Sequence, residues 1–268
     1  MNLSRANTVS RMLILLLCGS TGVCLAGGAA ADDAAHVRVA SYNVEFSRSA
    51  TPEQIGAMFK PYALDVIGFN EAPNGDWTAR VGAVLGMNYC YVGAISSANH
   101  VNKYKSILSR TPLEGARECR LEAKTGWNPG SAVMATTTIR GLPVTLVSIH
   151  LCKSQTGDGH ARALVASVLS KAIGQRLLVV GDFNNTLGDP DMLVLAKVGL
   201  TSTWDDLKMD VSSLYTWNAL DPKQREGVID HILHDGASGG HAVAGGIIEL
   251  KKPLSDHKPV WAEMVYPR

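Results

Sequence analysis

Residues 177–190, LLVVGDFNNTLGDP, constrain the fold of this chain more than any other stretch. Leu177, Leu178, Val179 and Val180 form a continuous apolar run that stops at Gly181. A run of that length bounded by turn signals reads as a strand buried on both faces. Gly181 allows a close backbone approach, and Asp182 and Asn184 follow at period two, so along an extended chain both side chains project to the same side. A carboxylate and an amide at the mouth of a buried strand are costly unless they meet a metal, a phosphate or water. Ligands of open α/β sheets collect at that mouth. The competing reading is that both residues only cap the turn before a helix near Asp189.

The rest of the chain supplies partners for that strand. Residues 36–46 alternate, with Val37, Val39 and Ser41 on one side and Asn43 and Glu45 together near the end. Thr51, Pro52 and Gln54 form a helix start with a capping box, and the helix should stop before Pro61. Residues 63–69 read as a second buried strand ending in Asn70 and Glu71. A helix is expected at Trp77–Leu85 and strands at 89–95 and 105–109, the last closed by Arg110. Residues 131–140 and 143–151 read as a hairpin turning at Gly141, with His150 near its end. Helices at 161–173 and 191–198 and strands at 227–233 and 259–265 complete the pattern. Strands that alternate with helices in places and form hairpins in others imply mixed sheets with helices outside.

The N-terminal residues read differently. Arg5 and Arg11, an apolar core and the small residues AGGAAA have the layout of a cleaved secretory signal peptide, residues 1–31. The apolar core is too short to span a bilayer comfortably. A periplasmic or secreted protein follows, with no integral membrane segment after processing. Losing those two arginines turns the formal charge from +1 to −1. Cys90, Cys119 and Cys152 remain, three thiols of which spacing cannot choose a pair.

Polar residues gather where the apolar runs end. Asp230 lies inside VIDHIL, where a buried carboxylate needs a partner, and an imidazole is the natural one. Taken in order, Asn43 in SYNVE, Glu71 in GFNEA, Arg110 in ILSR, His150 in SIHL, GDFN at 181–184, Asp230 in VIDHI and Asp256-His257 in LSDHKPV form a set. This set resembles the endonuclease/exonuclease/phosphatase family, the deoxyribonuclease-I-like metallophosphoesterases, across essentially all of residues 36–268. The resemblance implies a four-layer α/β/β/α sandwich, two mixed sheets packed face to face with outer helices.

It also implies roles. Glu71 would be the principal ligand of Mg²⁺ or Mn²⁺, a hard cation that prefers carboxylate and water. Asn43 and Asp256 would assist, and Glu45 stands where DNA-repair members carry Asp near the metal. His257, held by Asp230, would be the general base or the donor to the phosphoryl oxygen. Asp182 competes for the base role, with Asn184 on the phosphate. His150 and Arg110 would neutralise phosphate charge. Asn70 replaces the Gln common before the metal-binding Glu, and His150 replaces the Tyr of the repair members, so the sequence leans towards the deoxyribonuclease, sphingomyelinase and phosphatase branches.

The expected protein is an exported, monomeric, Mg²⁺- or Mn²⁺-dependent phosphodiesterase or phosphatase using direct water attack. Its substrate could be a small-molecule phosphoester, a lipid head group or nucleic acid, the last making it a secreted metal-dependent nuclease. Duplex binding depends on phosphate neutralisation. A mature charge of −1 and 6% aromatic residues therefore favour a small or lipid-like phosphodiester, unless Lys103, Lys105 and Arg110 build a local basic groove.

Overall fold

The computed structural model describes residues 34–268, and its strands divide by their place in the chain. One six-stranded sheet takes the first four and the last two: β1 (Ala34–Asn43), β2 (Val66–Ala72), β3 (Tyr89–Val92), β4 (Tyr104–Ser109), then β11 (His241–Ile247) and β12 (Val260–Pro267). The other takes the middle six: β5 (Leu113–Leu121), β6 (Gly130–Ile139), β7 (Leu142–His150), β8 (Leu177–Asp182), β9 (Leu200–Ser202) and β10 (Asp230–Asp235). The spatial orders are β11-β12-β1-β2-β4-β3 and β5-β6-β7-β8-β10-β9. Each sheet is antiparallel except for one central parallel pair, β1/β2 in the first and β7/β8 in the second.

Period-two alternation explains why the sheets stack. Val37 and Val39 of β1, Val66 of β2, Leu146 of β7 and Leu178 and Val180 of β8 share one apolar cluster between the sheets. The alternate residues face outward onto helices. Tyr42, Ile67 and Phe69 meet Ile55 and Phe59 of α1 (Pro52–Phe59) and Trp77 and Val81 of α2 (Trp77–Leu85). Val147, Ile149 and Val179 meet Leu164 of α3 (His160–Ser167) and Met192 and Leu195 of α4 (Pro190–Ala196). The four-layer α/β/β/α sandwich is thus present. At its centre, a Cβ on Gly68 would stand 2.4 Å from Val180 Cγ2, so that glycine lets the two sheets close on each other.

Local signals hold at several positions. The Thr51 capping box forms, α2 has the expected bounds, and the β6–β7 hairpin turns through Arg140 and Gly141, both left-handed. Other boundaries moved. β1 ends at Asn43, because Glu45, Phe46 and Ser47 take left-handed φ values of 43°, 44° and 60° in a short 3-10 turn. Glu45 therefore does not continue the strand face that carries Asn43. The third expected helix, 161–173, is α3 followed by a 3-10 turn at Leu169–Lys171. Cys90, Cys119 and Cys152 are free thiols. The expected signal peptide lies outside the described residues, among which no helix is long and apolar enough to cross a membrane.

Candidate active site

Strand register builds the site. His150, the last residue of β7, pairs with Asp182, the last of β8, and Asp182 pairs in turn with Asp230, the first of β10. In the facing sheet Asn43, the last residue of β1, pairs with Asn70, two residues before the end of β2. All five continue the inward-facing positions of their strands, so two rows of polar side chains meet where the apolar core between the sheets ends.

Asp182 is the hub. Its Oδ2 accepts from Asn43 Nδ2 at 2.9 Å and lies 3.4 Å from His150 Nε2 and 3.6 Å from His257 Nε2. Its Oδ1 accepts the backbone N–H of Asn184 at 2.9 Å. Asn184, left-handed at φ 52°, points its own amide at the Leu151 carbonyl, 2.9 Å away. Gly181 is what lets β8 end this way: an added Cβ would sit 2.0 Å from the Ile149 carbonyl oxygen.

His257 comes from the loop before β12, and its Nδ1 bonds Asp230 Oδ2 at 2.8 Å. Burial alone would lower the pKa of its imidazole, but the Asp230 and Asp182 carboxylates outweigh that and hold it up at about 10. At neutral pH His257 is an imidazolium, a proton donor. Burial pushes Asp182 up to about 7, with His257 opposing the rise and Asp230 adding to it. Asp182 is thus poised to take a proton near neutrality, and the environment separates an acid from a base. His150 is pushed well below its usual value, first by burial and then by Lys105 and Lys103, so its contacts with Asp182 and Glu71 are those of a neutral ring. His231, beside Asp230 in sequence, belongs to the core. It accepts from Trp204 Nε1 at Nδ1 and donates from Nε2 to the Asn185 carbonyl.

Glu71 reaches the site by an irregularity. Strict alternation along β2 would turn it outward with Ile67 and Phe69, but a register shift falls between Phe69 and Ala72 and Glu71 takes φ 50°. Such a conformation costs on the order of 1–3 kcal/mol for a side-chain-bearing residue. It leaves Glu71 Oε1 2.8 Å from Lys103 Nζ and 3.9 Å from His150 Nε2. Glu45 Oε1 pairs with Arg48 at 3.0 Å, while its Oε2 is buried without a hydrogen-bond partner. Asp256 accepts from Ser255 Oγ, which also lies 2.8 Å from the Asn43 carbonyl.

Arg110 is a correction. It stands at the opposite end of the first sheet, bonding the Leu64 and Leu85 carbonyls. Because β4 runs antiparallel to β2, Ser109 pairs with Val66, five residues before Glu71. At ~3.3 Å per residue that places it roughly 17 Å from the site. Lys105 is also withdrawn, buried with its Nζ on the Ile95 carbonyl and Ser97 Oγ and pulled down to about 8 by burial. Of the three cations that a basic groove would have required, only Lys103 reaches the site.

Lys103 sits in the loop before β4, where no periodicity marks it, and the sequence offers it only as part of a basic groove. One further residue at the site has no such reading. Trp127 packs edge-on against His150 and His160, with ring centroids 5.1 and 4.7 Å apart. The GWNPG turn was its only local signal.

The donor chemistry fits a hard divalent cation. Glu71, Asn43, Asp256 and the unpartnered Glu45 Oε2 offer the oxygen donors such an ion prefers. Asp182, Asp230 and His257 also offer donor atoms within 4.8 Å of one another. A protonated imidazole in the middle of that trio makes it an acid–base cluster first.

A sandwich that gathers carboxylates, an imidazolium and an ammonium at one mouth is suited to binding and splitting a phosphate ester. The chain matches the Endonuclease/Exonuclease/phosphatase family over residues 40–257 and belongs to it. Members of that family are metal-dependent hydrolases of phosphoester bonds. No curated protein matches the chain in sequence. Among solved structures, it is similar to an endonuclease/exonuclease/phosphatase from Beutenbergia cavernae DSM 12333 (19% identity, 86% of this chain and 72% of that one, TM-score 0.71). A family protein from Bacteroides thetaiotaomicron aligns over 87% and 96% of the two chains at 18% identity and TM-score 0.69. D. rerio TDP2 complexed with single strand DNA product aligns over 86% and 99% at 15% identity and TM-score 0.65.

Proposed function

We propose that this protein is an exported phosphodiesterase or phosphatase that uses Mg²⁺ or Mn²⁺ and splits a P–O bond by direct attack of water. One observation carries the reading: Asp182, near pKa 7, lies beside an Asp230–His257 pair held protonated, across from Glu71. Glu71 would hold the cation with help from Asn43, Asp256 and Glu45. When bound, such an ion polarises phosphoryl oxygens and steadies a leaving oxygen. Asp182 takes the proton of the attacking water. His257 gives its Nε2 proton to a phosphoryl oxygen or to the departing alkoxide, and Asp230, accepting from Nδ1, orients the ring and stabilises its charge. His150, being neutral, can donate a hydrogen bond to the phosphate without adding charge.

The substrate we favour is a small or lipid-like phosphodiester. Duplex binding without sequence preference draws its affinity from phosphate neutralisation, and the site carries one lysine where a basic groove would need several. The deciding assay uses purified mature protein, stripped with EDTA and reloaded with Mg²⁺ or Mn²⁺. Its panel is plasmid DNA, RNA, sphingomyelin, bis-p-nitrophenyl phosphate and inositol phosphates. Full turnover after stripping would remove the metal from the reading. Plasmid degraded with a higher kcat/KM than every small ester would promote a secreted nuclease instead. Export is tested separately, since an intact mass that retains Met1 in material from outside the cytoplasm would refute processing.

A further inference from the structure

The Lys103–Glu71 ion pair is not explained by loop anchoring. Its 2.8 Å contact is short and charge-assisted, with the two side chains only 25% and 9% exposed. The loop that carries Lys103 is already fastened by other groups. Glu118 Oε2 accepts the N–H groups of Ala94 and Ile95, and Lys105 holds the Ile95 carbonyl and Ser97 Oγ. Ser96 Oγ accepts the Lys103 N–H, and the Lys103 carbonyl accepts from Ser97. The backbone is thus fixed at both peptide groups of Lys103, while the side chain keeps four rotatable carbons.

The ammonium also has a second neighbour. Lys103 Nζ stands 5.7 Å from the centroid of the Phe46 ring, a face that attracts a cation weakly. Glu71 Oε1, which Lys103 holds, is the oxygen 3.9 Å from His150 Nε2. Lys103 is therefore within the reaction centre, and it neutralises the carboxylate to which a divalent cation is assigned above.

We infer that Lys103 is the site's own cation and a catalytic residue. Its ammonium holds Glu71 when no divalent ion is bound, yields that carboxylate on metal binding, and turns to the non-bridging oxygens of the substrate's phosphoryl group. This rests on the metal-dependent reading of the site, and its consequences are separable from that reading. Removing the ammonium should make Glu71 a better metal ligand and a phosphate a poorer ligand of the site, two changes of opposite sign. Where one bound species alters the affinity for another, the coupling is commonly about 5–150-fold.

The test is calorimetric titration of the full protein with Mn²⁺ alone, then with inorganic phosphate at saturating Mn²⁺, for wild type, Lys103→Met and Lys103→Arg. Lys103→Met should bind Mn²⁺ about tenfold more tightly and phosphate at least tenfold more weakly. Lys103→Arg should keep phosphate affinity within about threefold, because the guanidinium restores the charge. It also keeps the idea refutable if the methionine variant does not fold, since loss of phosphate binding in the arginine variant would overturn it. Equal Mn²⁺ affinity in wild type and Lys103→Met would overturn the inference while leaving the metal-dependent function standing. Failure of every variant to bind Mn²⁺ would refute both.

Discussion

Asp182 and Asp230 lie directly opposite each other on antiparallel strands, with His257 2.8 Å from one and 3.6 Å from the other. Two carboxylates in that relation repel, and only an imidazolium between them makes the arrangement tolerable in a buried place. The pairing that brings these groups together also fixes the proton on His257.

A bell-shaped pH–rate profile follows. Activity should rise as Asp182 loses its proton through about pH 7 and fall as His257 loses its own through about pH 10. The two limbs belong to the interacting pair. Initial rates from pH 5 to 11 at saturating metal would check this, and a rate that falls between pH 6 and 8 would reverse the assigned roles.

Stability should move the other way. Both folded-state pKa values are raised, so each of these two groups binds more protons in the folded than in the unfolded state, and its contribution to stability falls as pH rises. Asp182 contributes this loss between its ordinary 3.8 and about 7, and His257 between 6.5 and about 10. The decline should be clearest in calorimetric Tm between pH 7 and 8, above the titration of buried His150, His160 and His231 and below that of Lys105, whose lowered pKa values act the opposite way. Asp230→Asn should flatten it by lowering the His257 pKa.

His257→Ala and Asp182→Ala should each lower kcat by at least ~10²-fold with the fold intact, the range expected for lost acid–base catalysis. Asp230→Asn should be milder near pH 7 and should move the alkaline limb of the rate profile downward. Near-normal turnover of His257→Ala, with circular dichroism as the control for folding, would show that the donor lies elsewhere.

Arg110→Ala tests the corrected position. Its guanidinium bonds only the Leu64 and Leu85 carbonyls on the far edge, so kcat/KM should stay within about twofold while stability drops by about 1 kcal/mol. A tenfold fall in kcat/KM with unchanged Tm would return Arg110 to the site.

Gly181→Ala should destabilise the fold by roughly 2–4 kcal/mol through strain and overpacking, because its φ is 152° and its Cβ would meet the Ile149 carbonyl. Chemical denaturation compared with wild type would measure it.

Much of the site was legible because strand ends are local features. Asn43, His150, Asp182 and Asp230 each close or open an apolar run, and alternation alone says which way they face. The direction of a strand is not local, and that is why Arg110 misleads. ILSR ends a buried strand just as SIHL does, but β4 runs the opposite way. Glu71 escapes pattern reasoning for a different reason, since only the backbone irregularity in β2 turns it inward. β5 carries no clear strand signal, because most of LEGARECRL is exposed and a register shift between Glu114 and Arg117 breaks its alternation. The Gly-rich strand β11, HAVAGGI, has too few packed side chains to stand out.

Asn70 remains, the residue that replaces the usual Gln. Its side chain accepts the Asp182 N–H at 2.9 Å and donates to the Ile149 carbonyl, so a carboxamide from one sheet stands in for a peptide unit of the other. The two halves of the polar row cannot part by even an ångström without breaking that surrogate pairing. Enzyme activity is therefore an early reporter of any slippage between the layers, ahead of signals that wait for the apolar core to open. Replacing Asn70 by the isosteric aspartate would set a carboxylate against a carbonyl and wedge the sandwich apart from within.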